Sequence, residues 1–179
     1  NTGGILLENS DMEIRNANFV NNEAGLELYN STAVIENTHF ASTTEEVIEA
    51  YDGSTILVAS STITDTLDAD AIGIYDSTLT IAGTTIDHVH DGDAIGAYDS
   101  VVSIASSTIK NIDDGDAVAL YNSTSTITNT TIQNGSGDGV AIYGGTATID
   151  SSTISGFTEG AGVLVADPVA PVAITNTVI

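Results

Sequence analysis

The sequence predicts an all-β fold: a right-handed parallel β-helix of about seven to eight coils, each of 22–24 residues and three short strands. Three observations predict it. All six tyrosines (Tyr29, Tyr51, Tyr75, Tyr98, Tyr121 and Tyr143) recur at intervals of 22–24 residues, the mark of a repeat architecture. Inside each interval the apolar residues alternate with period two, and no stretch sustains the 3.6 period of a helix. The chain is also rich in Thr, Ser, Ile and Val and nearly free of Lys, Arg and Met, which favours strands over helices.

The elements follow in order along one unit. The first strand carries an inward column of Ile5, Leu26, Ile48, Ile72, Ile95, Val118 and Val140. The second carries Ile14, Ile35, Val58, Ile81, Ile104, Ile127 and Ile149, and the third Phe19, Phe40, Ile63, Ile86, Ile109, Ile132 and Ile154. Each strand stops at Gly, Asn, Asp or Ser, the residues that form turns. A strand this short buries nothing alone, but stacked about 4.8 Å apart the strands enclose a continuous aliphatic core. A degenerate copy begins at Gly4, and another follows from Gly162, interrupted by Pro168 and Pro171 in a segment expected to form a loop or terminal cover. Residues 1–179 therefore read as one domain. Without an initiator methionine, and with an end inside a strand pattern, it is expected to be a segment of a larger extracellular protein or a mature, processed form, whose core edges at Ile5 and Ile179 invite end-to-end self-association.

The repeated pattern A-I-x-x-Y-[DN]-S-T-x-T-I-x-x-[ST]-T-I is clearest over Ala71–Ile86 and Ala117–Ile132. It resembles the pectate-lyase-like right-handed parallel β-helix repeat family over nearly the whole chain. The resemblance implies the fold and leaves activity open, because that scaffold is shared by polysaccharide lyases, hydrolases, phage spikes and surface adhesins.

Composition narrows the function classes. The 25 acidic residues face only Arg15 and Lys110, giving a formal net charge of -23. Such a surface repels nucleic acid and anionic membranes and gathers cations. Cysteine is absent, so neither disulfides nor thiolate chemistry is available. No apolar run reaches the ~18 residues of a membrane-spanning helix. Nucleophile and phosphate-loop motifs are missing. A lyase of this fold class needs basic groups that two cations about four coils apart do not supply.

In a solenoid the functional unit is a column of equivalent residues. Tyr51, Tyr75, Tyr98, Tyr121 and Tyr143 are expected to point outward beside Gly73, Gly96, Ala119 and Ala141, forming an aromatic strip about 20 Å long on which sugar rings could stack. The structural alternative is that the rings staple coil to coil. Asp68, Asp70, Asp91, Asp93, Asp114 and Asp116 place two carboxylates per coil on one turn, an oxygen-only set suited to calcium; the alternative is a solvated acidic edge. A third column, Asn9, Asn30, Asp52, Asp76, Asp99 and Asn122, holds the candidate acid and base of a glycoside hydrolase in Asp76 and Asp99, next to Tyr98. Its plainer role is to shape a turn. Thr62, Thr85, Thr108, Thr131 and Thr153 line the third strand, and T-x-T pairs at Thr78/Thr80, Thr124/Thr126 and Thr146/Thr148 line the second, resembling ice-binding β-solenoids, though broken by Val101/Ser103 and Thr55/Leu57. His88 and His90 flank Val89 beside Asp87 and Asp91, where they could assist a metal.

The leading expectation is a non-catalytic secreted or cell-surface scaffold, an adhesin-like or envelope segment that contacts polysaccharide or another surface protein through its tyrosines and binds calcium on its acidic turn. The alternatives are a carbohydrate-active enzyme, hydrolase rather than lyase, and an ice-binding solenoid.

Overall fold

The computed structural model describes residues 4–179. Twenty-three strands of three to five residues form three all-parallel sheets, of eight, eight and seven strands. Each coil contributes one strand to each sheet except the last, which reaches the third sheet only through a bridge between Thr153 and Val178. In a central coil the strands are Ile72–Tyr75, Thr78–Ala82 and Thr85–Val89. Every strand pairs with the equivalents one coil before and after, so Ile72 faces Ile48 and Ile95, and Ile81 faces Val58 and Ile104. The three expected inward columns are therefore in register.

Alternation decides which side chains enter the core. Ile72, Ile74, Leu79, Ile81, Ile86 and Val89 of this coil are all essentially inaccessible to water. Burying side chains of this size stabilises by roughly 1.5–3 kcal/mol each, repeated coil after coil. Among the described residues the core has two polar lapses: the Ser125 hydroxyl, between Val102 and Ala147 in an inward column, and the Thr66 hydroxyl, aligned with Val89, find no partner.

The corners are made by backbone geometry. Between first and second strands Asn9, Asn30, Asp52, Asp76, Asp99 and Asn122 adopt φ of 44–56°; between second and third strands Asn16, Asn37, Ser60, Ser106 and Asn129 do the same. A further left-handed column, Asn21, Ser42, Asp65, His88, Asn111 and Asn134, bends the third strand. This region is costly for most side chains and tolerated by Asn, Asp and Gly, which accounts for the residue types punctuating the repeat.

Buried hydroxyls lock the corners together. After Asn30, Asp76, Asp99 and Asn122 of the first corner stands a buried serine whose Oγ donates to the tyrosine carbonyl two residues back, as Ser100 does to Tyr98 at 2.7 Å. That Oγ also accepts the N–H of the preceding coil's serine: Ser77 donates to Ser100 at 3.0 Å, and Ser100 to Ser123 at 2.9 Å. Thr38, Ser61, Thr84 and Ser107 form a matching ladder at the second corner.

The last coil departs from the repeat. Six residues, 167–172, replace the usual two-residue corner between Val163–Ala166 and Ala173–Thr175 and include Pro168 and Pro171. The loop lies back on the preceding coil, where Val169 donates to the Gly145 carbonyl. At the ends of the stack Ile5 is half-buried and Ile179 is exposed.

Candidate functional site

The most repetitive chemistry lies along the first sheet and the turn that leads into it. Tyr29, Tyr51, Tyr75, Tyr98, Tyr121 and Tyr143 end successive first strands, and strand register places each ring over the next. Ring centroids are 4.8–5.0 Å apart with planes within 11° of parallel. The expected platform of open aromatic faces is therefore not what the fold builds. One strand spacing nearly equals one stacking distance, so the rings cover one another and present edges and hydroxyls to solvent. Each ring also folds back over the residue two positions earlier. A Cβ at Gly73 would stand 3.6 Å from Cε2 of Tyr75.

In the early coils the position under the ring is glutamate. The Tyr29 hydroxyl donates to Glu27 and that of Tyr51 to Glu49, both at 2.6 Å. Later coils have Gly73, Gly96, Ala119 and Ala141 there, and the acidic group comes instead from the preceding turn. The Asp70 carboxylate occupies the space a side chain at Gly96 would need.

The acidic turn resolves into two columns with different roles. Asp70, Asp93 and Asp116 are half-buried, and each accepts the backbone N–H of its equivalent in the next coil: Asp93 N–H to Asp70 at 2.7 Å, Asp116 N–H to Asp93 at 2.8 Å, and Asp138 N–H to Asp116 at 2.6 Å. Asp138 continues the ladder to Ala161. Burial pushes these carboxyls up, partly opposed by the N–H bonds; Asp93, with Asp70 and Asp116 as charged neighbours, rises to about 7. Burial, helped by Asp70, likewise pushes the Tyr98 phenol up to about 12, so the tyrosine stack is uncharged. Asp68, Asp91 and Asp114 are exposed. Among the described residues no three carboxylates or imidazoles gather around a common point; the six candidate calcium ligands are split between a backbone-bonded inner column and a solvated outer one.

The remaining candidates are placed as follows. Asp76 and Asp99 sit at the left-handed first corner, exposed, at φ of 47° and 49°. The backbone conformation explains why Asn and Asp alternate there, and Asn30 Nδ2 donates to Asn9 Oδ1 in the same column. Asp87 holds the densest polar cluster, bonded by Lys110 Nζ at 2.9 Å, Asn111 Nδ2 at 2.7 Å and His88 Nδ1 at 2.8 Å. Partial burial raises Asp87, but the bonds from Lys110 and Asn111 outweigh it and hold the carboxyl below its usual value. His90 pairs with Asp113 rather than with Asp91, and His39 bonds Thr62 in the threonine column. Arg15 bridges Glu13 and Glu36. The serine and threonine ladders went unanticipated; the signal was the hydroxyl residue that follows most of the corner residues.

A family profile described as a right handed beta helix region matches residues 1–115 and 95–179. No curated protein matches the chain significantly. Among solved structures, the chain is similar to two mutants of the periplasmic alginate epimerase AlgG. One is 13% identical with a TM-score of 0.49, over 98% of this chain and 60% of that one. The other is 11% identical with a TM-score of 0.39, over 99% and 75%. The chain thus spans less than two thirds of the first. HetL, a pentapeptide repeat protein of the cyanobacterium Nostoc sp. strain PCC 7120, is 6% identical with a TM-score of 0.23, over 93% and 89%. With the profile matching throughout and a three-sheet parallel coil on the page, the chain belongs to the right-handed β-helix family.

Proposed function

We propose that this chain is a non-catalytic scaffold of a secreted or cell-surface protein, adhesin-like or part of an envelope layer, that contacts neutral polysaccharide or another surface protein along its tyrosine edge. The observation that carries the reading is the use to which the repeated polar columns are put. The tyrosines stack, the inner aspartates cap the next coil's N–H groups, and the corner Asx residues hold the left-handed bends. Residues spent on coil-to-coil cohesion in every repeat suit a rod that must stay straight, whereas a reaction centre interrupts a repeat with a unique constellation. The six tyrosines present an uninterrupted row of hydroxyls and ring edges without formal charge, and a sugar polymer can follow such a line. Calcium enters this reading as a bridging ion on the outer aspartates Asp68, Asp91 and Asp114, with Asp70, Asp93 and Asp116 behind them.

The test is a binding panel of soluble and insoluble polysaccharides, run with calcium and with chelator, reading retention and release of reducing ends. Retention without product release is expected. It should weaken in the double variant Tyr98→Phe/Tyr121→Phe, which removes two hydroxyls and keeps the stack. Release of reducing ends that vanishes in Asp99→Asn would overturn the scaffold reading in favour of a hydrolase. Retention indifferent to chelator would remove calcium from it.

A further inference from the structure

The second sheet carries an outward face unlike the rest of the molecule. Across its strands Thr55–Ala59, Thr78–Ala82, Val101–Ala105 and Thr124–Thr128 no outward side chain is charged, and in Thr146–Asp150 only Asp150, at the margin, is. This occurs in a chain with 25 acidic residues. The carboxylates of the same coils stand elsewhere: Asp52, Asp76 and Asp99 at the first corner, Asp65 and Asp87 on the third sheet, and Asp68 to Asp116 on the turn into the first sheet. An uncharged strip on so acidic a surface selects for an uncharged partner.

Register makes the strip a lattice. Thr55, Thr78, Val101, Thr124 and Thr146 are aligned partners in five successive coils. Val101 breaks the run of hydroxyls without breaking its shape, because valine and threonine share the β-branched outline and its restricted χ1. Beside this column run Leu57, Thr80, Ser103, Thr126 and Thr148, and beyond them Ala59, Ala82, Ala105 and Thr128 form a margin that ends at Asp150. Rows repeat about every 4.8 Å along the axis and about 6.7 Å along each strand, over a face about 19 Å long. Hydroxyl ladders hold the sheet at both of its corners, so these spacings are fixed before any partner arrives.

An occupant must be flat, uncharged and itself periodic on this scale. A second copy of the chain brings another net charge of -23 to the contact. A soluble sugar chain finds on this face neither the ring edges nor the phenol hydroxyls that the tyrosine column offers it. The oxygen repeats of crystalline ice lie close to both spacings, and alternating methyl and hydroxyl groups can order water in that lattice. We propose that this face, from Thr55 to Thr148, adsorbs to ice. The inference stands apart from the scaffold reading, since it uses a different sheet.

The experiment is nanolitre osmometry and ice-recrystallisation inhibition on the 1–179 chain, beside Thr80→Tyr/Thr126→Tyr on the face and Thr131→Tyr on the third sheet, all checked for fold by circular dichroism. Shaped crystals and a measurable freezing hysteresis are expected for the unaltered chain and for Thr131→Tyr, with at least a several-fold loss in the double variant. Absence of crystal shaping and hysteresis in the unaltered chain overturns the proposal. So does equal activity in the double variant, or a dimer by ultracentrifugation that Thr80→Tyr/Thr126→Tyr abolishes.

Discussion

Lowering the pH from 8 to 5 should make this protein more stable, and Asp93 is the residue through which to see it. Its carboxyl is half-buried in the ladder between Asp70 and Asp116, and burial with those charged neighbours raises it from an ordinary 3.8 to about 7. The unfolded chain gives up its proton near the ordinary value, so between those limits the native state holds a proton the unfolded state has lost. Stability from this source is complete below about 4 and disappears as the pH rises through about 7. At 1.36 kcal/mol per pH unit the displacement sets a ceiling of about 4 kcal/mol; partial solvent exposure and the retained N–H bond leave about 1–2 kcal/mol. Asp70, Asp116, Glu46 and Glu49 are raised in the same sense, chiefly by burial. Asp87 and Asp150 are held low and work in the opposite sense only in strong acid, outside this window. Urea unfolding at constant ionic strength, at pH 8, 7, 6 and 5, should give a rising midpoint. Asp93→Asn keeps an acceptor for the Asp116 N–H and removes the charge, so it should gain stability at pH 8 and flatten the profile. A midpoint that falls between pH 8 and 5, or an unchanged slope in Asp93→Asn, would refute the burial argument.

Two further outcomes test the packing. Ser125→Ala removes a buried hydroxyl without a partner from an otherwise aliphatic column, and should raise stability by about 1 kcal/mol in the same urea assay. At Asp99, with φ of 49°, glycine should cost little while Asp99→Val loses about 1–2 kcal/mol; equal losses would show that the side chain's own bonds, and not the left-handed backbone, hold that corner.

Period-two patterning and the tyrosine interval determined the coil length, the strand count per coil and the three inward columns, because a one-residue slip would turn every isoleucine outward. The corner residues were also legible as turn formers. What each outward column does was decided only by the tertiary structure. Sequence spacing shows that Tyr75 and Tyr98 recur, but not whether their rings lie side by side as a platform or face to face as a stack; coil spacing selects the stack. Likewise "DGD" shows two aspartates on a turn, while the fold sends one to the next coil's amide and leaves the other in water. Both outcomes depend on the distance between residues about 23 positions apart, which the strand ladder sets and local sequence does not encode.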